Sequence, residues 1–229
     1  MSIWHPDMPQ EFRNQVVLGD CRELGKRIPD ESIDAIFTDP PYPKEYLWTY
    51  EWLAETAARV LKPGGLCLAM CGQSYLPTIY EMMGKHLTYH WTICLDLIGP
   101  RCNIWQRKVG SNWKPIVSFS KGAYEGKFVC DFVRSTGRDK RFHRWGQNIS
   151  EAVKIVGQLN APVFLEPFSG GGTATLACKL LGRNYVAFDN DPEAVKASTK
   201  RLAEAEPLLE RKPRATRLFD EPKGDKDDE

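Results

Sequence analysis

Glu166-Pro167-Phe168-Ser169-Gly170-Gly171-Gly172-Thr173 is the stretch that decides the fold of this chain. Val163-Phe164-Leu165 before it reads as a buried strand, and residues 173–181 after it read as a helix stopped by Gly182. Three consecutive glycines let the backbone turn sharply and approach a ligand with no side chain between. Residues 185–188 read as the next strand. Asp191-Pro192-Glu193 then has the chemistry of a helix start: an N-cap aspartate, proline at the first helical position and an acidic first turn. Such a βαβα unit predicts a mainly parallel sheet covered by helices on both faces. Asp189 closes the second strand 19 residues after Gly170, a spacing that suits a carboxylate accepting hydrogen bonds from a ribose diol. A nucleotide-like cofactor is expected. Neither G-x-G-x-x-G nor a Gly-Lys-Ser/Thr follows the strand, which disfavours a dinucleotide and ATP. The plain alternative is a glycine turn that only seats a helix on the sheet.

Working back toward the N-terminus, Val16-Val17-Leu18 reads as a strand running into Gly19-Asp20. Residues 33–38 form another, halted by Asp39-Pro40-Pro41-Tyr42, where two prolines forbid both helix and ladder. Residues 46–61 read as a helix with Leu47, Trp48, Trp52 (or Leu53), Ala57 and Val60 on one stripe, stopped by Lys62-Pro63-Gly64-Gly65. Residues 66–71, 91–97 and 115–120 read as strands and 76–85 as a helix. The Asp39–Tyr42 segment suits transfer to an exocyclic amine, a weak nucleophile because its lone pair is delocalised into the ring. The Asp39 carboxylate and the carbonyl of Pro40, held in place by the proline's fixed φ, can accept its two N–H groups and turn the lone pair outward. Tyr42 offers a ring on which a flipped base can stack. The competing reading is a proline-rigid turn with a locally bonded aspartate.

Together these motifs resemble the S-adenosylmethionine-dependent DNA amino-methyltransferases of permuted, β-type motif order, over residues 15–200, and suggest a small phage- or prophage-like member. The resemblance implies an α/β, Rossmann-like seven-stranded methyltransferase sheet. It implies S-adenosyl-L-methionine as cofactor and direct methyl transfer to a flipped base. Asp39, Pro40, Pro41 and Tyr42 match the catalytic motif. Glu166, Phe168, Ser169, Gly170, Gly171, Gly172 and Thr173 match the cofactor loop, with Asp189 and Asn190 at the ribose and Asp20 at the adenine amine. Gln147 and Ser150 match the segment that holds the methionine moiety, although Gln147-Asn148-Ile149 departs from the usual Gln-Lys-Pro. Trp113-Lys114-Pro115-Ile116-Val117 matches a strand near the flipped base. No Pro-Cys dipeptide is present, so covalent attack on C5 of cytosine is not expected. Aspartate in the first motif position resembles N6-adenine enzymes more than N4-cytosine ones, with N4-cytosine or RNA methylation as alternatives. A non-enzymatic DNA-binding subunit and a nicotinamide oxidoreductase are further rivals.

The net charge of +1 over 229 residues conceals a segregation. Residues 99–147 carry eleven Lys and Arg against three acids, a net +8, which leaves −7 elsewhere. Aromatics interleave with the cations, so one basic DNA-binding face is expected, carried by Arg101, Arg107, Lys108, Lys114, Arg138, Lys140, Arg141 and Arg144. An ordinary solvated face with core tryptophans is the competing reading. The expected organisation is one domain, 1–206: a catalytic half (15–122), a short target-recognition insert (123–142) and a cofactor half (143–206). A charged, disordered tail, 207–229, follows. Seven irregularly spaced cysteines and no export signal indicate reduced thiols in a cytoplasm. No metal, no membrane span, and a monomer or homodimer complete the expectations. A restriction-modification setting fits, without a nuclease domain in this length.

Overall fold

The computed structural model of the chain describes residues 3–96, 98, 101–135 and 149–206. The helices are α1 (Cys21–Gly25), α2 (Trp48–Val60), α3 (Leu76–Gly84), α4 (Ile149–Gln158), α5 (Thr173–Leu180) and α6 (Pro192–Ala203). The strands are β1 (Gln15–Leu18), β2 (Ile33–Thr38), β3 (Leu61–Met70), β4 (Thr88–Asp96), β5 (Cys102–Ile104), β6 (Val109–Ser111), β7 (Trp113–Ser120), β8 (Phe132–Arg134), β9 (Val163–Glu166) and β10 (Asn184–Asp189).

Among the described residues, eight strands form one sheet in the order β1-β10-β9-β2-β3-β7-β4-β8, and β5 and β6 form a separate hairpin. From β1 to β3 all neighbours are parallel, and β7 is antiparallel to both β3 and β4. The inversion has a local cause. The chain leaves β4, turns through the β5–β6 hairpin and comes straight back as β7, which slots between β3 and β4. The sheet therefore agrees with the expected α/β architecture, with β8 added as an eighth strand parallel to β4.

Strand alternation splits the core in two. In β10, Val186 and Phe188 face one side while Tyr185 and Ala187 face the other; in β9, Val163 and Leu165 oppose Phe164. The first side is covered by α2 and α3 with Leu24 of α1, the second by α4, α5 and α6. Residues buried on both faces explain why these strands read as continuous apolar runs rather than alternating ones.

Three local expectations change. Lys62-Pro63-Gly64-Gly65 does end α2, but it forms a bulge inside β3, with the register slipping between Ile33↔Leu61 and Ala35↔Leu66. Glycine is required at 65 because an added Cβ would sit 2.9 Å from the carbonyl oxygens of both Asp34 and Lys62. Helix α4, the β5–β6 hairpin and β8 lie where no element was expected. The basic face is also less unified than the sequence suggests. Lys121 follows β7 at the end of the sheet opposite the glycine loop and pairs with Glu31 at 3.0 Å, and Arg134 pairs with Asp96 at 2.7 Å. Arg138, Lys140, Arg141, Arg144, Gln147 and the tail from 207 lie outside the described residues. All seven cysteines are free thiols.

Candidate active site

The strand order places a topological switch between β2 and β9. From β2 the chain crosses through α2 to β3 on one side; from β9 it crosses through α5 to β10 on the other. Connections that diverge from adjacent parallel strands leave a crevice at the carboxyl ends, where ligands bind in such sheets. Four strand ends meet there: β1 runs into Gly19-Asp20, β2 into Asp39, β9 into the glycine loop, and β10 ends in Asp189. A cavity of about 540 Å³ opens between them, with Asp20, Asp39, Pro41, Phe168, Gly170 and Asp189 on its wall.

The glycine loop is held from both sides. Gly170 (φ +51°) and Gly172 (φ +70°) both occupy the left-handed region. Gly170 lines the cavity, and a Cβ there would meet nothing within 4 Å; at Gly172 it would lie 2.8 Å from Cβ of Ser198 in α6. The Gly170 N–H donates to Asp189 Oδ2 (2.6 Å) and the Asp191 N–H to Asp189 Oδ1 (2.9 Å). Each carboxylate oxygen keeps further acceptor capacity toward the cavity. Arg201 reaches from α6 to the carbonyl of Gly171 (3.1 Å) and to Thr173 Oγ1 (3.3 Å).

Glu166 lies elsewhere than its motif match implies. It is buried, and Oε2 accepts both the N–H (2.7 Å) and the hydroxyl of Thr175, so its carboxyl clamps the start of α5 instead of facing the cavity. Burial lifts that carboxyl from an ordinary 4.5 to about 8. Ser169 is likewise buried behind the loop, 3.3 Å from Thr175 Oγ1. Phe168 stands edge-on to Trp52 (centroids 5.8 Å apart).

Across from the loop Asp39 lines the cavity, and Tyr42, which does not, donates its hydroxyl to Asp39 Oδ1. The Lys114 ammonium sits 3.8 Å from Asp39 Oδ2 and 4.8 Å above the Tyr42 ring. Burial, and then the Asp39 charge, push the Tyr42 phenol well above its ordinary value, so it remains a donor. Lys114 was expected on the DNA-binding face; its ammonium instead reaches into the Asp39 pocket, because β7 enters the sheet beside β3. Arg101, Arg107 and Lys108 are exposed on the β5–β6 hairpin. Ser150 lies in the first turn of α4, half-buried.

Asp20 lines the cavity as expected, whereas Arg22, Trp48 and Cys21 on the same wall escaped the sequence reading. Asp20 caps α1 through the Arg22 N–H (2.8 Å) and binds the Arg22 guanidinium, which holds its carboxyl below the ordinary range. That guanidinium lies 4.9 Å over the Trp48 ring. Trp48, assigned to an apolar helix stripe, is 39% exposed and lines the cavity. Cys21 also touches the cavity, but burial pushes its thiol up to about 12, leaving no thiolate nucleophile at neutral pH. Among the described residues, no group of three or more His, Cys, Asp or Glu could hold a metal ion.

No protein-family model matches the chain. Among curated proteins, it is 24% identical over 249 aligned positions to the type II methyltransferase M.BamHI of Bacillus amyloliquefaciens, covering 83% of this chain and 58% of that protein. It is 27% identical to the type II methyltransferase M.HinfI of Haemophilus influenzae, covering 86% of this chain and 70% of the relative. The chain thus spans under two thirds of the length of M.BamHI. Among solved structures, the M1.HpyAVI–SAM complex superposes with a TM-score of 0.70 at 24% identity, covering 82% of this chain and 99% of the other. The cytosine-N4-specific PvuII DNA methyltransferase gives 0.70 at 18% identity, with 86% of each chain covered. The resemblance drawn from the motifs is borne out: the similar curated proteins are type II methyltransferases, and the fold is that of the DNA methyltransferase structures.

Proposed function

We propose that this chain is a DNA methyltransferase that uses S-adenosylmethionine to methylate an exocyclic base amine, N6 of adenine, on a nucleotide turned out of the duplex. The observation that carries this reading is the single cavity in which Asp39 and Pro41 face Gly170 and Asp189. A site for a weak amine nucleophile and a site for a nucleoside cofactor therefore share one space.

The donor set fits the cofactor. Asp189 can accept a ribose diol, Phe168 and Trp48 offer aromatic surface to an adenine ring, and Asp20 is an acceptor for its amine. Gly170 leaves the loop side open, while Gly171, Gly172, Ser169, Thr173 and Glu166 shape the loop from behind. When bound there, S-adenosylmethionine supplies a sulfonium methyl group electrophilic enough to transfer without an enzyme nucleophile.

The protein's own share is to prepare the amine. Asp39 and the Pro40 carbonyl accept its two N–H groups and free the lone pair, and the amine proton leaves after attack. Tyr42 donates to one oxygen of Asp39 and Lys114 stands beside the other, so the carboxylate is oriented before a base arrives. Within this reading the chain is one domain to residue 206, and residues 123–142 form a small recognition segment that implies a short or relaxed target sequence. Methylation of cytosine N4 is the second reading. The same two acceptors serve that amine, and a cytosine-N4-specific enzyme shares the fold.

The test is transfer of labelled methyl groups to unmodified DNA, with the product digested to nucleosides. N6-methyladenine is expected, and N4-methylcytosine moves the assignment to the second reading. Asp39→Ala should lower transfer about 10²- to 10⁴-fold and leave cofactor binding intact. Equal turnover by that variant removes Asp39 from the mechanism.

A further inference from the structure

The loop between β4 and β7 rises from the carboxyl edge of the sheet, beside the cavity. Its two strands pair as Cys102↔Ser111, Asn103↔Gly110 and Ile104↔Val109. A two-stranded ribbon this short does not hold its position alone, and here it is tethered twice to one neighbouring turn. The Gln73 amide donates to Ser111 Oγ and to the Trp113 carbonyl, both at 3.0 Å, and Arg107 donates to the Ser74 carbonyl at 3.2 Å. That turn follows Gly72, where an added Cβ would stand 3.9 Å from the Tyr42 side chain. The hairpin is thus fixed to the rim of the Asp39–Tyr42 pocket.

Its tip is the short helical turn Trp105–Arg107, closed by Lys108 in the left-handed conformation (φ +53°). Trp105 is 82% exposed, the most exposed tryptophan among the described residues. Arg101, Arg107 and Lys108 lie exposed within four residues of it in sequence, and no acidic residue occurs from 98 to 113. A large indole left in water on a hairpin that carries cations and no acid is complementary to a polyanion with stacked rings. A β-ribbon fits a DNA groove, apolar wedges enter base steps, and aromatic stacking tolerates any base.

We infer that Trp105 is a wedge that enters the helical stack and fills the space vacated by the flipped target, while Arg107 and Lys108 grip the flanking phosphates. This inference rests on the proposed flipping of a target base. Trp105 acts as a positioning residue: it touches neither the cofactor nor the amine.

The experiment uses the full chain and two duplexes carrying its mapped methylation site, one with adenine at the target for the transfer rate and one with 2-aminopurine there for the flipping signal. Trp105→Ala should lose about 5- to 150-fold in single-turnover rate, the range of one lost stacking contact, together with the 2-aminopurine signal. Trp105→Phe should keep most of both. Placing a pyrene nucleotide opposite the target fills the same space and should restore Trp105→Ala to near the wild-type rate. Equal flipping by Trp105→Ala, or no pyrene rescue in a variant with unchanged melting temperature and cofactor affinity, overturns the wedge. A wild-type protein that methylates no DNA overturns the parent reading and the wedge with it. A methylating wild type matched by Trp105→Ala overturns only the wedge.

Discussion

Gly170 and Gly172 look interchangeable in sequence, yet alanine at the two positions should fail for different reasons. Both carry a positive φ, so either substitution strains the backbone by about 1–2 kcal/mol. At Gly170 nothing further is lost in the fold, because the new methyl meets no atom within 4 Å. At Gly172 the methyl would stand 2.8 Å from Ser198 Cβ, and Ser198 is fully buried on α6, so the helix must shift. Overpacking of this kind adds about 1–3 kcal/mol. Gly172→Ala should therefore lose about 2–5 kcal/mol in total, and Gly170→Ala about 1–2. For a chain of this size each kcal/mol moves the melting temperature by about 2–4 °C, so the two variants should separate clearly in a calorimetric scan. Cofactor titration should give the opposite order: Gly170→Ala lines the cavity and should bind S-adenosylmethionine worse relative to its stability loss. If Gly172→Ala melts no lower than Gly170→Ala, the close approach of α6 to the loop is not what fixes glycine there.

Glu166 carries a pH signature. Its folded carboxyl, raised by burial to about 8 from 4.5, retains a proton that the unfolded chain gives up. Its contribution is therefore fully present below about pH 4.5 and lost as pH rises toward about 8. Urea midpoints of Glu166→Gln should accordingly fall less than those of the wild type between about pH 5 and 8, and parallel curves would remove the assignment. Lys114→Met should lower kcat roughly tenfold, the size of a one-unit charge interaction, with the salt dependence of DNA binding unchanged. A flattened salt slope instead returns Lys114 to the phosphate-binding set. Three hairpin cations should contribute about −3 to the slope of log affinity against log salt, and Arg107→Ala should reduce it by about 1. A slope near zero in a filter-binding titration would argue against a DNA contact by the hairpin.

The sequence was most legible where local chemistry leaves few choices. Proline pairs, glycine runs and N-cap aspartates restrict φ and ψ regardless of context, so Asp39–Tyr42, the glycine loop and the start of α6 stood out directly. Helix α4 was readable in principle, since Ile149, Ala152, Ile155 and Val156 repeat at helical spacing and are packed in the core or against it, and Asn148-Ile149-Ser150-Glu151 has the residue types of a capped helix start. The β5–β6 hairpin lacks an Asn-Gly or Asp-Gly turn, and β8 is three residues long, so neither announces itself.

Sequence by itself determined the parallel α/β plan, the two motif loops and the residues within each, because those follow from dihedral limits and apolar periodicity along the chain. It could not determine which way a side chain faces once strands distant in sequence become neighbours. That the Lys114 ammonium stands over Tyr42 and that Trp48 faces the cavity were decided by strand order, whereas the turn of the Glu166 carboxyl into α5 was decided by how that helix packs on the end of β9. The physical reason is that a residue's charge and shape are local properties, whereas its partner is fixed only when β2 and β9 lie side by side and β7 folds back between β3 and β4.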